Sequence, residues 1–188
     1  MAPALSGLIV CGCPSQNAFA GAAILLCRVL SLFRGGRYKS ALINKMLLGG
    51  FNDRVKDAQT PCDWLCTNRQ TVSDYQADPL CGFPFTLNGC EALLTLMTRA
   101  YQRKGWRVKN PNLPILFISG AEDPCMVSRK KLCQAASLLV EAGYTNVSVR
   151  LYPSMRHEIL NETGREAVYA DAAAFLDAAR KEKSAPTP

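Results

Sequence analysis

The apolar positions of the chain fall into runs of two kinds. Leu5-Ser6-Gly7-Leu8-Ile9-Val10-Cys11 is nearly continuous and stops at Gly12 and Pro14, and Leu113-Pro114-Ile115-Leu116-Phe117-Ile118 stops at Ser119-Gly120. Short runs without polar alternation suit parallel strands covered on both faces by helices. Val147, Val149 and Leu151 instead alternate with Ser148, Arg150 and Tyr152, which predicts a third strand nearer a sheet edge. Helical spacing follows at Leu132, Ala136, Leu139 and Val140, between Ser128 and a capping Gly143. A T-x-x-E capping box at Thr163 and Glu166 precedes a last helix striped by Val168, Ala172, Phe175, Leu176 and Ala179. The C-terminal part therefore reads strand, helix, strand, loop, helix, an α/β unit.

The middle of the chain has the helical period only. Residues 18–32, 38–48 and 91–103 carry apolar positions at that spacing, the last through Leu93, Leu94, Leu96 and Met97, and no strand separates them. The simplest organisation is a core from residues 1–15 and 106–182, interrupted by an all-helical insertion over 16–105, with a polar tail at 183–188.

Composition narrows the partners. The chain has 188 residues, enough for one core with an insertion, and its mean hydropathy is near zero. The net charge of +7 comes from 22 basic and 15 acidic residues. The basic residues are scattered, with short clusters at Arg103-Lys104, Arg129-Lys130-Lys131 and Lys181-Glu182-Lys183. No aromatic ladder accompanies them, so they read as solvated helix faces and not as a nucleic-acid interface. The nine cysteines, at 11, 13, 27, 62, 66, 81, 90, 125 and 133, include no C-x-x-C pair, and only one histidine could complete a zinc site. Reduced thiols in a cytoplasmic protein, with no metal, are the expectation. No basic residue precedes the first apolar run, and Arg28 ends the second well short of the ~20 residues a membrane span requires. The expectation is a soluble protein, with peripheral membrane contact through the insertion left open.

The single histidine, His157, lies in the stretch SMRHEILNE. PILFISGAEDP at 114–124, followed by LYPSMRHEILNETGREAVYADAAAFLDA at 151–178, resembles the C-terminal half of an α/β-hydrolase. The resemblance is closest to the lysophospholipase and monoacylglycerol-lipase group, with serine aminopeptidase S33-like character. GGFNDRV at 49–55, DWL at 63–65 and DYQADPLCGFPFT at 74–86 resemble that group's helical cap, so the likeness spans residues 5–180. It implies a partial α/β-hydrolase: three parallel strands, flanking helices and an inserted all-helical cap.

The resemblance also implies roles. In that fold the triad runs nucleophile, acid, histidine along the chain, which makes Asp123 the acid and His157 the base. A carboxylate at Asp123 would accept the Nδ1–H of His157 and stabilise the imidazolium formed in acyl transfer. Glu158, Asn161 and Glu162 are expected to bond backbone or offset the last helix's dipole. Arg156 would pair with one of them, and Glu122 would face solvent. The implied substrate is a glycerolipid ester, with Phe19, Ile24, Leu25, Leu42, Met46 and Leu47 as candidate acyl-pocket lining. No organic cofactor or metal is implied.

Two departures from the family pattern stand out. G-x-S-x-G occurs nowhere in the 188 residues, and the family places it before the strand corresponding to residues 5–11. The expectation is thus no nucleophile in this chain, because Ser6, Ser15, Cys11 and Cys13 lie on no strand-turn-helix elbow. The acid loop is the second departure: Cys125-Met126-Val127-Ser128-Arg129 stands where the family often has a glycine-containing loop. Three readings follow. The chain is a piece of a longer serine esterase or lysophospholipase, or a non-catalytic lipid- or partner-binding remnant, or one half of a two-piece enzyme. In the chain on its own, residues 5–11 are expected to form an exposed sheet edge prone to self-association.

Overall fold

The computed structural model describes residues 5–56 and 58–184. Three parallel strands, β1 (Leu8–Cys11), β2 (Ile115–Gly120) and β3 (Val147–Tyr152), form a sheet in the order β1-β2-β3. The register pairs Leu8 with Ile115, and Ile115 in turn with Val147, so the three C-terminal strand ends lie side by side. β2 is buried at all six positions, Ile115–Gly120, as the apolar run Ile115–Ile118 within it leads one to expect. β1 differs: among the described residues it pairs with β2 alone, its centre is half-buried, and Leu8 and Cys11 are exposed.

The helices, numbered in chain order, are α1 (Ala20–Arg34), α2 (Ala41–Asn44), α3 (Arg69–Ala77), α4 (Leu87–Ala100), α5 (Arg129–Ala142) and α6 (Arg165–Ser184). The chain divides into two compact units. One comprises Met1–Ser15, Leu65–Asn68 and Arg103–Pro188, the other Gln16–Trp64 and Arg69–Gln102. The four residues Leu65–Asn68, inside the stretch expected to be the insertion, therefore group with the sheet.

In the sheet unit, Leu116, Ile118, Tyr152, Met155, Ile159 and Val168 form a buried cluster, with Ile9 and Phe175 packed against it. Strand β2, strand β3, the following loop and α6 thus share one core. α5 is bounded as its residues dictate: the Ser128 side chain accepts from the Lys131 N–H, and Gly143 closes the helix at φ 113°. In the helical unit, Cys27, Ile43, Leu87 and Cys90 are buried together, with Leu26, Leu30, Leu47 and Phe85 alongside.

Several expectations are corrected. The helix expected over 38–48 begins only at Ala41, behind the Ser40 cap, and widens into a π-turn at Lys45–Gly49. α4 starts at Leu87 because the Thr86 hydroxyl accepts from Gly89 N–H, earlier than the apolar stripe suggested. α3 went unforeseen, since Val72 is its one buried residue. The capping box is not formed. Gly164 at φ 82° sets the helix start at Arg165, one residue too late for Thr163 to be the N-cap. α6 also continues to Ser184, past the expected start of the tail, while residues 185–188 lie outside the described ones.

Candidate active site

The chain leaves β2 at Gly120, passes Ala121 and exposed Glu122, and enters a short 3-10 turn at Pro124–Met126. Asp123 sits at the N-cap of that turn. Its Oδ1 accepts the Cys125 N–H at 2.8 Å, and its Oδ2 accepts the Ser119 hydroxyl at 3.0 Å. Only 3% of Asp123 is exposed, so both bonds hold a buried carboxylate in one rotamer.

His157 lies in the loop between β3 and α6, and its Nδ1 is 3.0 Å from Asp123 Oδ2. A carboxylate only accepts hydrogen bonds, so this contact places the ring proton on Nδ1 and leaves Nε2 as the basic nitrogen. The histidine loop is pinned to the acid loop by backbone bonds. Ala121 N–H donates to Tyr152 O at 2.9 Å, and Glu122 N–H to Met155 O at 3.0 Å.

Two glycines permit this closeness. A Cβ on Gly120 would lie 2.1 Å from the carbonyl oxygens of both Met155 and Arg156. Gly12, at φ 60°, ends β1 where a Cβ would come within 3.2 Å of His157 Cε1. Asp123, His157 and a tight turn thus gather at the C-terminal edge of a parallel sheet, where open α/β sheets place their sites.

Leu65–Asn68 clamps the residues on either side of His157. Leu65 O accepts the Glu158 N–H at 2.7 Å, and Cys66 O accepts Arg156 Nη1 at 3.2 Å. Glu162, 1% exposed, accepts the Arg156 N–H at 2.8 Å and the Thr67 N–H at 2.9 Å, as well as the Thr67 hydroxyl. The backbone-bonding role expected for Glu162 is what it performs. Arg156 meets Glu162 through its backbone N–H, while Asn161 bonds the Glu158 carboxylate at 2.9 Å.

The nearby hydroxyls and thiols are placed as follows. Ser15 is buried and donates to Met126 O, while its own N–H meets Cys125 O, so it braces the acid loop. Cys13 Sγ is 3.7 Å from Pro14 O. Burial and then the Asp123 charge raise the Cys11 thiol above its ordinary pKa. Cys125, 6% exposed, is pushed up further by burial, the same charge and a hydrogen bond to Asp123.

Sequence reasoning put Asp123 and His157 side by side, as they are here, but did not anticipate Ser119, the Leu65–Asn68 clamp or the two glycines. Ser119 had left a trace, as the polar residue closing an apolar run. The clamp left none, because it works mainly through backbone atoms.

The comparisons agree with this architecture. A highly thermostable carboxyl esterase from Bacillus coagulans, in complex with glycerol, is similar with a TM-score of 0.80 and 24% identity, covering 94% of this chain and 58% of that one. A lipase in an open form gives 0.77 and 24%, over 93% of this chain and 57% of that one. A soluble variant of the monoglyceride lipase from Saccharomyces cerevisiae, with a substrate analogue, gives 0.58 and 16%, over 93% and 56%. The chain therefore spans under two thirds of the length of these structures. No curated protein matches the sequence significantly. Among the described residues no helix is long and apolar enough to cross a membrane. Residues 5–164 match the family described as serine aminopeptidase, S33, and with this partial α/β-hydrolase fold the chain belongs to that family.

Proposed function

We propose that this chain supplies the acid and the base of a serine carboxylic-ester hydrolase acting on lysophospholipids or monoacylglycerols. Asp123 is the orienting acid and His157 the general base. The nucleophilic serine comes from sequence outside these 188 residues. The observation that carries the reading is the 3.0 Å contact between His157 Nδ1 and a buried carboxylate at the C-terminal sheet edge. In the reaction, the serine attacks the ester carbonyl while His157 Nε2 takes its proton. His157 then protonates the leaving glycerol or glycerophospho oxygen, and water activated by the same nitrogen releases the fatty acid. Asp123 holds the tautomer and offsets the imidazolium charge throughout.

The glycerolipid preference rests on the helical unit, where Phe19, Leu25, Leu42 and Met46 are exposed. Ile24 and Leu47 are half-buried, and Leu47 packs in that unit's own core. The same exposed side chains favour a second reading, a non-catalytic lipid-binding remnant.

Two preparations separate the readings. The purified chain should not turn over p-nitrophenyl butyrate, and turnover abolished by His157→Ala would revive a nucleophile within it. Extended by an N-terminal α/β-hydrolase half carrying G-x-S-x-G, it should hydrolyse monoacylglycerol, with activity lost in His157→Ala and Asp123→Ala. A folded extended protein without that activity would leave the remnant reading in its place.

A further inference from the structure

We propose that Asp123, Cys125 and His157 form a binding site for a soft divalent metal ion, zinc above all, at the C-terminal end of the sheet. One ligand atom from each residue, a carboxylate oxygen, a thiol sulfur and a ring nitrogen, lies within 4.8 Å of the other two. Zinc bonds to such atoms are about 2.0–2.3 Å long and tetrahedral, which sets its ligand atoms roughly 3–4 Å apart. His157 Nδ1 and Asp123 Oδ2 are already 3.0 Å apart, so closing on an ion asks only that the Cys125 sulfur draw in from within 4.8 Å.

The local fold explains the gathering. The turn beginning at Pro124 brings residues 123 and 125 together, and the Cys125 N–H bond to Asp123 Oδ1 locks that relation. The Ser119 hydroxyl holds the other carboxylate oxygen, and the Leu65–Asn68 clamp holds the Glu158 backbone and the Arg156 side chain, on either side of His157. Such outer partners orient ligands in metal sites. One nitrogen, one sulfur and one oxygen form a set that zinc accepts. The thiolate and carboxylate together neutralise a divalent charge.

Binding involves no redox change. The Cys125 S–H bond breaks, its electron pair goes to the metal and its proton to solvent. The ring proton of His157 passes from Nδ1 to Nε2 through solvent, and the freed Nδ1 pair coordinates the ion. The Asp123 carboxylate exchanges its bond to the imidazole for one to the metal. Both the carboxylate and the Nδ1 position are also used by the proposed triad, so on that reading a bound ion and the general base exclude one another. The metal site itself does not depend on the catalytic reading. One histidine and no C-x-x-C pair had argued against any metal, but that argument counted no carboxylate.

The experiment is a Co²⁺ titration of the full chain under a non-thiol reductant, read by the thiolate-to-metal charge-transfer band, with Zn²⁺ as competitor. One equivalent should bind, and Zn²⁺ should bleach the band. Cys125→Ser should abolish it, and His157→Ala should weaken binding by about 100-fold or more, at least the loss expected for an outer partner. Cys62→Ser should change nothing. A band that survives Cys125→Ser, or affinity unchanged in His157→Ala, overturns the site in favour of another of the nine cysteines. Circular dichroism verifies that the variants fold. Should Cys125→Ser fail to fold, the wild-type ring resonances decide the matter, since His157 is the one histidine. Zn²⁺ must shift them, and resonances that stay in place at saturation refute coordination.

Discussion

His157 Nδ1 lies 3.0 Å from Asp123 Oδ2, although the two residues are 34 positions apart in the chain. The pairing of Gly120 with Tyr152 across β2 and β3 brings the two loops to one sheet edge. The contact dictates a tautomer, and a single histidine makes that tautomer readable. Nitrogen-15 spectra of the metal-free chain should show the Nδ1–H form, with a ring proton shifted downfield by its hydrogen bond. Asp123→Ala should remove that proton signal. A wild-type ring found mainly as Nε2–H would contradict the arrangement.

Glu162 carries more of this geometry than its position before a helix suggested. It is buried, and Arg156 N–H, Thr67 N–H and the Thr67 hydroxyl all converge on its carboxylate. Glu162→Ala would leave these donors without their acceptor, and each unsatisfied buried group costs about 1–3 kcal/mol. A loss of about 3 kcal/mol in urea unfolding is expected, with a smaller loss for Glu162→Gln, which keeps one oxygen. The His157 resonances should broaden in Glu162→Ala, because the neighbouring Arg156 N–H loses its acceptor. A change below about 1 kcal/mol would show that the clamp does not support the loop.

Legibility followed the range of the interactions. β2 was readable because burial on both faces removes every polar position from 115 to 118. α5 was readable because Ser128 and Gly143 cap it through neighbours in sequence. The meeting of Asp123 and His157 was readable because one helix and one strand lie between them, which returns the chain to the same sheet edge. The clamp was not, since Thr67 and Glu162 are 95 residues apart and neither belongs to a periodic pattern. The Thr163 box was misread because Gly164 takes a positive φ, which the spacing of Thr and Glu does not reveal.

Val127 marks the place where the acid loop departs from a glycine-bearing pattern. Its φ is 62° and ψ −50°, and Ser128 N–H reaches Met126 O at 2.7 Å. That is a γ-turn of the rarer, strained hand, centred on a β-branched residue that is costly at positive φ. Val127 is 47% exposed, so little packing is lost on removing its side chain. Val127→Gly should therefore stabilise the chain by about 1 kcal/mol, strain relief of roughly 1–3 offset by the entropy of glycine. Thermal unfolding of the two proteins measures it, and a destabilised glycine variant would mean the turn carries no strain.

Asp63, 1% exposed in the helical unit, sets an acid limit on stability. Burial disfavours its charge, but the Thr60 hydroxyl, the Gln59 and Thr60 N–H groups and then Arg69 outweigh that, bringing its pKa from 3.8 to about 2. A pKa lower in the folded than in the unfolded chain contributes stability that is complete above the unfolded value. It is lost as pH falls through the folded one. The depression is worth about 2 kcal/mol. Wild type should exceed Asp63→Asn in stability by about that amount above pH ~4, and the gap should close as the pH approaches ~2. Urea unfolding across that window measures both proteins. Parallel pH profiles would show that the bonds around Asp63 do not depend on its charge.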